Sequence, residues 1–114
     1  MPLNPPDHEW KKGSAELLVL SLLEDRPRHG YDISKLIQAR SGGALRFHVT
    51  SLYPLLYRME KRGWVRGEWQ TSDSGRRRRR YHITSSGKKK VVPLRAEWSE
   101  LFEALRQLAK VPHA

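Results

Sequence analysis

Thr50 to Gln70, TSLYPLLYRMEKRGWVRGEWQ, changes its hydrophobic period part-way along. Up to Lys61 the apolar residues Leu52, Leu55, Leu56 and Met59 recur at three- and four-residue intervals, which places them on one face of a helix. Thr50, Tyr53, Pro54, Tyr57, Arg58 and Lys61 fall on the other face. Proline in a helix interior removes an N–H and clashes with the preceding turn, so Pro54 predicts a start close before it, with Thr50 or Ser51 as N-cap. Lys61, Arg62 and Gly63 supply a basic last turn and a terminating glycine. From Trp64 the period drops to two: Val65 and Trp69 alternate with Arg66, Glu68 and Gln70, the pattern of a half-buried strand.

Downstream, TSDSG is a turn cluster, and GRRRRRYHIT (Gly75–Thr84) ends in the alternation Tyr81, His82, Ile83, Thr84. Two short strands around a Ser/Asp/Gly turn predict a β-hairpin with the arginines on its tip and second strand. Taken alone, such a run reads as a solvated or disordered charge block. Beside an alternating strand it reads instead as a cationic ridge suited to a DNA backbone, where neutralised phosphates release counterions and a narrow minor groove attracts arginine. Arg77 and Arg79 share the face of Tyr81, flanked by Arg76, Arg78 and Arg80.

Upstream, SAELLVLSLLED (Ser14–Asp25) carries a wide apolar stripe behind a capping serine, and YDISKLIQARSGG places Ile33, Leu36 and Ile37 at helical spacing before a Gly42-Gly43 stop. RPRHG breaks the chain between these helices. Residues 1–13, with three prolines, read as an extended arm, and 110–114 as a tail. A last helix over 85–109 repeats Val91, Leu94, Trp98, Leu101, Phe102, Leu105 and Leu108 close to a heptad seam, which calls for a partner helix. Pro93 lies within it; either the helix kinks there or its regular part begins there.

The chain has 114 residues and a net charge of +10, and residues 76–90 contribute eight basic side chains with no acid. The charge is therefore local, as in a polyanion-binding face. Absence of cysteine excludes disulfides, Cys-based zinc sites and thiol nucleophiles. No apolar run reaches the roughly 18 residues of a membrane span. The five histidines, His8, His29, His48, His82 and His113, lack metal-ligand spacing, and no catalytic constellation or cofactor motif is present. The reading is a cytoplasmic, non-enzymatic protein with no metal or cofactor.

Three helices, a hairpin and a seamed helix make a mainly α fold with a small β-hairpin (α+β): a winged helix-turn-helix over 14–84 with a C-terminal dimerisation helix over 85–109. HGYDI, SLYPLLYRMEKRGWV, GEWQ, GRRRRRYHIT and a downstream EW, in that order, resemble the short forms of the PadR family of bacterial transcriptional regulators. The resemblance covers about residues 14–109. It implies a homodimeric, sequence-specific DNA-binding repressor acting on a pseudo-palindromic operator of double-stranded DNA.

On that reading Thr50, Ser51, Tyr53, Pro54, Tyr57 and Arg58 face a major groove, and Arg76, Arg77, Arg78 and Arg79 lie on backbone or minor groove. Lys35 is a backbone contact as readily as a solvated lysine. Trp98 is first a core or interface residue. The family resemblance adds that a tryptophan of the last helix can stack a small planar aromatic effector between subunits. The alternative within nucleic-acid binding is a nonspecific or architectural DNA binder; outside it, a protein-interaction module.

Overall fold

A computed structural model describes residues 13–109. Except for Gly13, the arm and the tail lie outside the described residues. The apolar run starting at Ser14 forms α1 (Ser14–Asp25), whose Val19, Leu20 and Leu23 sit at the centre of the core. Ser14 is not the cap: it is the first helical residue and is buried, while Gly13 takes the cap position at φ 88°. The break at RPRHG is itself a short strand, β1 (Arg28–His29), missed because two residues show no periodicity. Arg28 closes α1 by donating to Leu22 O (3.0 Å) and Asp25 (2.9 Å).

α2 (Gly30–Arg40) and α3 (Val49–Lys61) follow, burying Ile33 and Ile37 on one and Leu52, Leu55, Leu56 and Met59 on the other. α3 starts earlier than its proline suggests. His48 holds the cap position, its carbonyl accepting from the Ser51 and Leu52 amides at 2.9 Å each, so Pro54 lies beyond the first turn. The acceptor that Pro54 leaves without an N–H is the carbonyl of Thr50, an exposed residue, so the lost bond falls on the solvent side of the helix. Gly63, at φ 78°, ends the helix by donating to Glu60 O.

β2 (Val65–Thr71) and β3 (Arg77–Ile83) pair antiparallel from Val65↔Ile83 to Thr71↔Arg77, and β1 adds to the far edge of β3 through Arg28↔Tyr81 and His29↔Arg80. The sheet order is β1-β3-β2. Four arginines of the Arg76–Arg80 run are thus strand residues, with Val65 and Tyr81 rooting the sheet in the core. α4 (Ser85–Ala109) is a continuous helix with Pro93 inside it. Thr84 caps it, its Oγ1 accepting from the Gly87 amide at 3.0 Å. The regular helix begins at Ser85 rather than near the proline. This is the α+β winged-helix plan, with a three-stranded sheet in place of the expected two-stranded hairpin.

Candidate nucleic-acid interface

The helix-turn-helix is formed by α2 and α3. Gly30 at the start of α2 lets the Tyr53 ring of α3 approach closely: a Cβ there would stand 2.7 Å from a ring carbon and 2.9 Å from the hydroxyl, so a larger residue would push the ring aside. Tyr53 therefore fastens the two helices together while leaving 44% of its surface exposed. The remaining outward face of α3 follows the helical spacing. Thr50, Pro54, Tyr57 and Arg58 are exposed, Ser51 is half-buried, and the Lys61 ammonium lies 4.9 Å from the Tyr57 ring centroid. On α2, Lys35 is exposed and stands 5.3 Å over the Tyr31 ring. The face combines flat rings, hydroxyls and cations, groups able to hydrogen-bond base edges and phosphates.

The hairpin divides its arginines by strand alternation. Arg77 and Arg79 lie over Trp69, at 4.7 and 5.5 Å from the ring centroid, and Arg79 also approaches Tyr81. Arg78 points the opposite way, 3.9 Å from Asp32 at the start of α2. Arg76 sits in the turn, where its amide donates to Ser72 Oγ and its carbonyl accepts from the Ser72 amide. Arg79 requires a correction. Expected as a free cation, it is paired with Glu60 of α3 at 2.7 Å with both side chains under a third exposed, so its charge is already matched. Arg76 and Arg77 are left exposed on the hairpin surface, and half-exposed Arg78 keeps only its looser pairing with Asp32. Trp69, 55% exposed beside Arg77, and Glu60 are the residues that sequence reasoning passed over. The alternation of GEWQ put Trp69 on a face, but nothing local announced that Glu60 would meet Arg79.

The last helix divides in two. Val91 is fully buried and Leu94 nearly so against the protomer's own core, so neither offers surface to a second chain, contrary to their assignment to a dimer seam. They pack inward because the first half of α4 lies against α1 and β3. Beyond them Leu101, Phe102, Leu105 and Leu108 are 37%, 56%, 50% and 82% exposed. Trp98 lies between these halves, half-buried, its ring 5.5 Å from that of Phe102. Both border an apolar groove of about 410 Å³ with Leu18, Leu36 and Ile37.

The model of the transcriptional regulator PadR-like family matches residues 19–92, from the middle of α1 to the first turns of α4. The chain belongs to the PadR-like family. A curated protein of Lysinibacillus sphaericus is 30% identical over 94 residues, which span 82% of this chain and 86% of that one. The PadR-like transcriptional regulator of Bacillus cereus superimposes with a TM-score of 0.75 at 26% identity, covering 89% of this chain and 96% of that one. A PadR family transcription regulator of Clostridium difficile gives 0.72 at 27% identity over 82% and 96%. A transcriptional regulator of Clostridium thermocellum gives 0.74 at 28% identity over 84% and 93%. As a PadR-like regulator the protein binds DNA and regulates transcription, and it is not an enzyme. No described helix is long and apolar enough to cross a membrane.

Proposed function

We propose that this PadR-like regulator is a homodimeric repressor that reads a pseudo-palindromic operator, with α3 in the major groove and the hairpin on the flanking backbone or minor groove. The observation that carries this reading is the outward face of α3, where Thr50, Tyr53, Pro54, Tyr57 and Arg58 stand exposed or half-exposed on a rigid helix beside a hairpin bearing Arg76, Arg77 and Arg78. Phosphate contacts from the hairpin supply affinity, and side chains on α3 supply base discrimination. The exposed stripe of Leu101, Phe102, Leu105 and Leu108 supports the dimer, because a row of large apolar side chains on a projecting helix is unfavourable in water and is buried by a second copy. Two-fold symmetry then places two copies of α3 in successive major grooves about one turn apart.

Trp98 and Phe102 beside the apolar groove support a small planar aromatic effector at the subunit boundary. Such a ligand would release DNA by favouring the subunit arrangement in which the two reading helices no longer match the half-site spacing, which requires tighter binding to that state. The experiment is selection of random duplexes on the purified protein at about 150 mM salt, where counterion-driven binding is already weakened. A two-fold symmetric motif supports the proposal. Binding that follows salt without enriching any sequence refutes it in favour of an architectural DNA binder.

A further inference from the structure

A carboxylate on a DNA-facing helix opposes the approach of a polyanion, and Glu60 is the single acid of α3. Its surroundings show what it does instead. One oxygen, Oε2, accepts from Arg79 Nη2 on β3 at 2.7 Å and from the Gly67 amide on β2 at 3.0 Å. Arg79 Nη2 also lies 3.5 Å from Gly67 O. A Cβ on Gly67 would overlap the Arg79 guanidinium, with Nη2 at 2.6 Å and Cζ at 2.7 Å, so any side chain there would push Arg79 away from Glu60. The last turn of α3 and both strands of the hairpin thus meet at a single oxygen. The restraint extends outward, because Arg79 is stacked on Trp69, and Trp69 in turn supports Arg77.

We propose that Glu60 is a positioning residue for DNA binding: through Gly67 and Arg79 it sets the angle of the hairpin against α3, so that Arg77 and Arg78 meet phosphates while α3 occupies its groove. The inference rests on the reading of the hairpin as a DNA contact. The leverage is geometric. From Gly67 to the turn at Ser72 is five residues, about 17 Å of strand, so a rotation of roughly 10° at Gly67 carries the tip about 3 Å, enough to break a hydrogen bond to phosphate.

The test exploits a difference in sign. Removing a negative charge near DNA strengthens binding by simple electrostatics, whereas releasing the hairpin weakens it. The full-length protein is titrated against a fluorescent mixed-sequence duplex over a range of salt. Glu68→Ala, an exposed carboxylate on the same hairpin outside this cluster, is expected to bind somewhat tighter than the parent. Glu60→Ala is expected to bind on the order of tenfold more weakly, and Glu60→Gln, which keeps an uncharged acceptor, less weakly than that but still below the parent. Should Glu60→Ala fail to fold by circular dichroism, Glu60→Gln carries the same test of sign.

Arg77→Ala supplies the readout that a general loss of structure would not give. It should reduce the salt slope by about one in the parent and by clearly less in the Glu60→Gln background, where a partly mis-aimed hairpin meets that phosphate less often. Tighter or equal binding by Glu60→Gln together with weakening by Arg77→Ala overturns the inference and leaves the hairpin reading intact. No effect of either substitution overturns both.

Discussion

Gly87→Ala should destabilise the domain by about 2 kcal/mol, although alanine is the better helix former. Gly87 lies in the first turn of α4, facing Trp64 just before β2 and Ile83 at the end of β3. A Cβ built there would overlap the Trp64 carbonyl oxygen and stand 3.1 Å from its carbon and 2.8 Å from Ile83 Cγ1. The carbonyl cannot swing away freely, since it accepts from the Thr84 amide at 3.1 Å. Nor can α4 retreat without stretching the Gly87 amide bond to Thr84 Oγ1 and unseating the fully buried Val91 one turn on. Overpacking of this kind costs about 1–3 kcal/mol and sometimes more. The propensity gain of alanine over glycine returns about 1 kcal/mol at most. A backbone clash lies at the severe end, which gives the net figure, a large share of a typical total of roughly 5–15 kcal/mol. Urea unfolding of parent and variant at one fixed protein concentration measures it, with an unchanged slope required before midpoints are compared. Gly43→Ala is the control: open space surrounds it, but φ is 83°, so it carries only the left-handed backbone penalty of about 1–2 kcal/mol. A Gly87→Ala variant as stable as the parent would refute the packing argument.

Arg58→Ala should relax preference at particular base pairs, by about 1–3 kcal/mol where its contact is bidentate, whereas Arg78→Ala should weaken binding to every sequence and lower the salt slope by about one. Equal effects of both on all sequences would refute the division between α3 and hairpin. Leu105→Glu places a charge in the exposed α4 stripe and is expected to raise the dimer dissociation constant by more than about tenfold, from the loss of a buried leucine worth roughly 1.5–3 kcal/mol; light scattering against concentration reads it. Planar cationic dyes are expected to quench Trp98, a component absent in Trp98→Phe; quenching of equal size in both proteins would remove the effector reading. Burial pushes the Tyr81 hydroxyl above its usual value of 10.0, outweighing the lowering by Arg79. The folded state therefore holds this proton more tightly than the unfolded chain, so its contribution is intact below pH 10.0 and lost as pH rises towards the folded value. Tyr81→Phe should lose less stability than the parent on crossing that pH; identical losses would contradict this.

Local pattern carried most of the fold. The 3.6-residue period of Leu52, Leu55, Leu56 and Met59 and the two-residue period of Val65 to Trp69 each depend only on which face of an element is apolar, and a single chain displays that directly. The same alternation separated Arg77 and Arg79 from Arg78. Element starts were less legible. Pro54 and Pro93 each carry an intrinsic cost in a helix, yet both lie inside helices, because each removes a bond from a carbonyl on an exposed residue and tertiary packing of α3 and α4 outweighs that local loss.

The sequence by itself determined the order of elements, the outward face of α3 and the concentration of positive charge on one hairpin, because these follow from spacing along the chain. What only the tertiary structure decided is what each side chain meets. Val91 and Leu94 continue the spacing of Leu101 and Leu105, but α4 crosses the core before it leaves it, so the first pair is internal and the second exposed. Arg79 is chemically identical to its four neighbours in the run and differs because Glu60, nineteen positions earlier, is brought to 2.7 Å, closer than Asp32 comes to Arg78. Periodicity is a property of one element and pairing is a property of two; the second becomes visible only when the chain has brought them together.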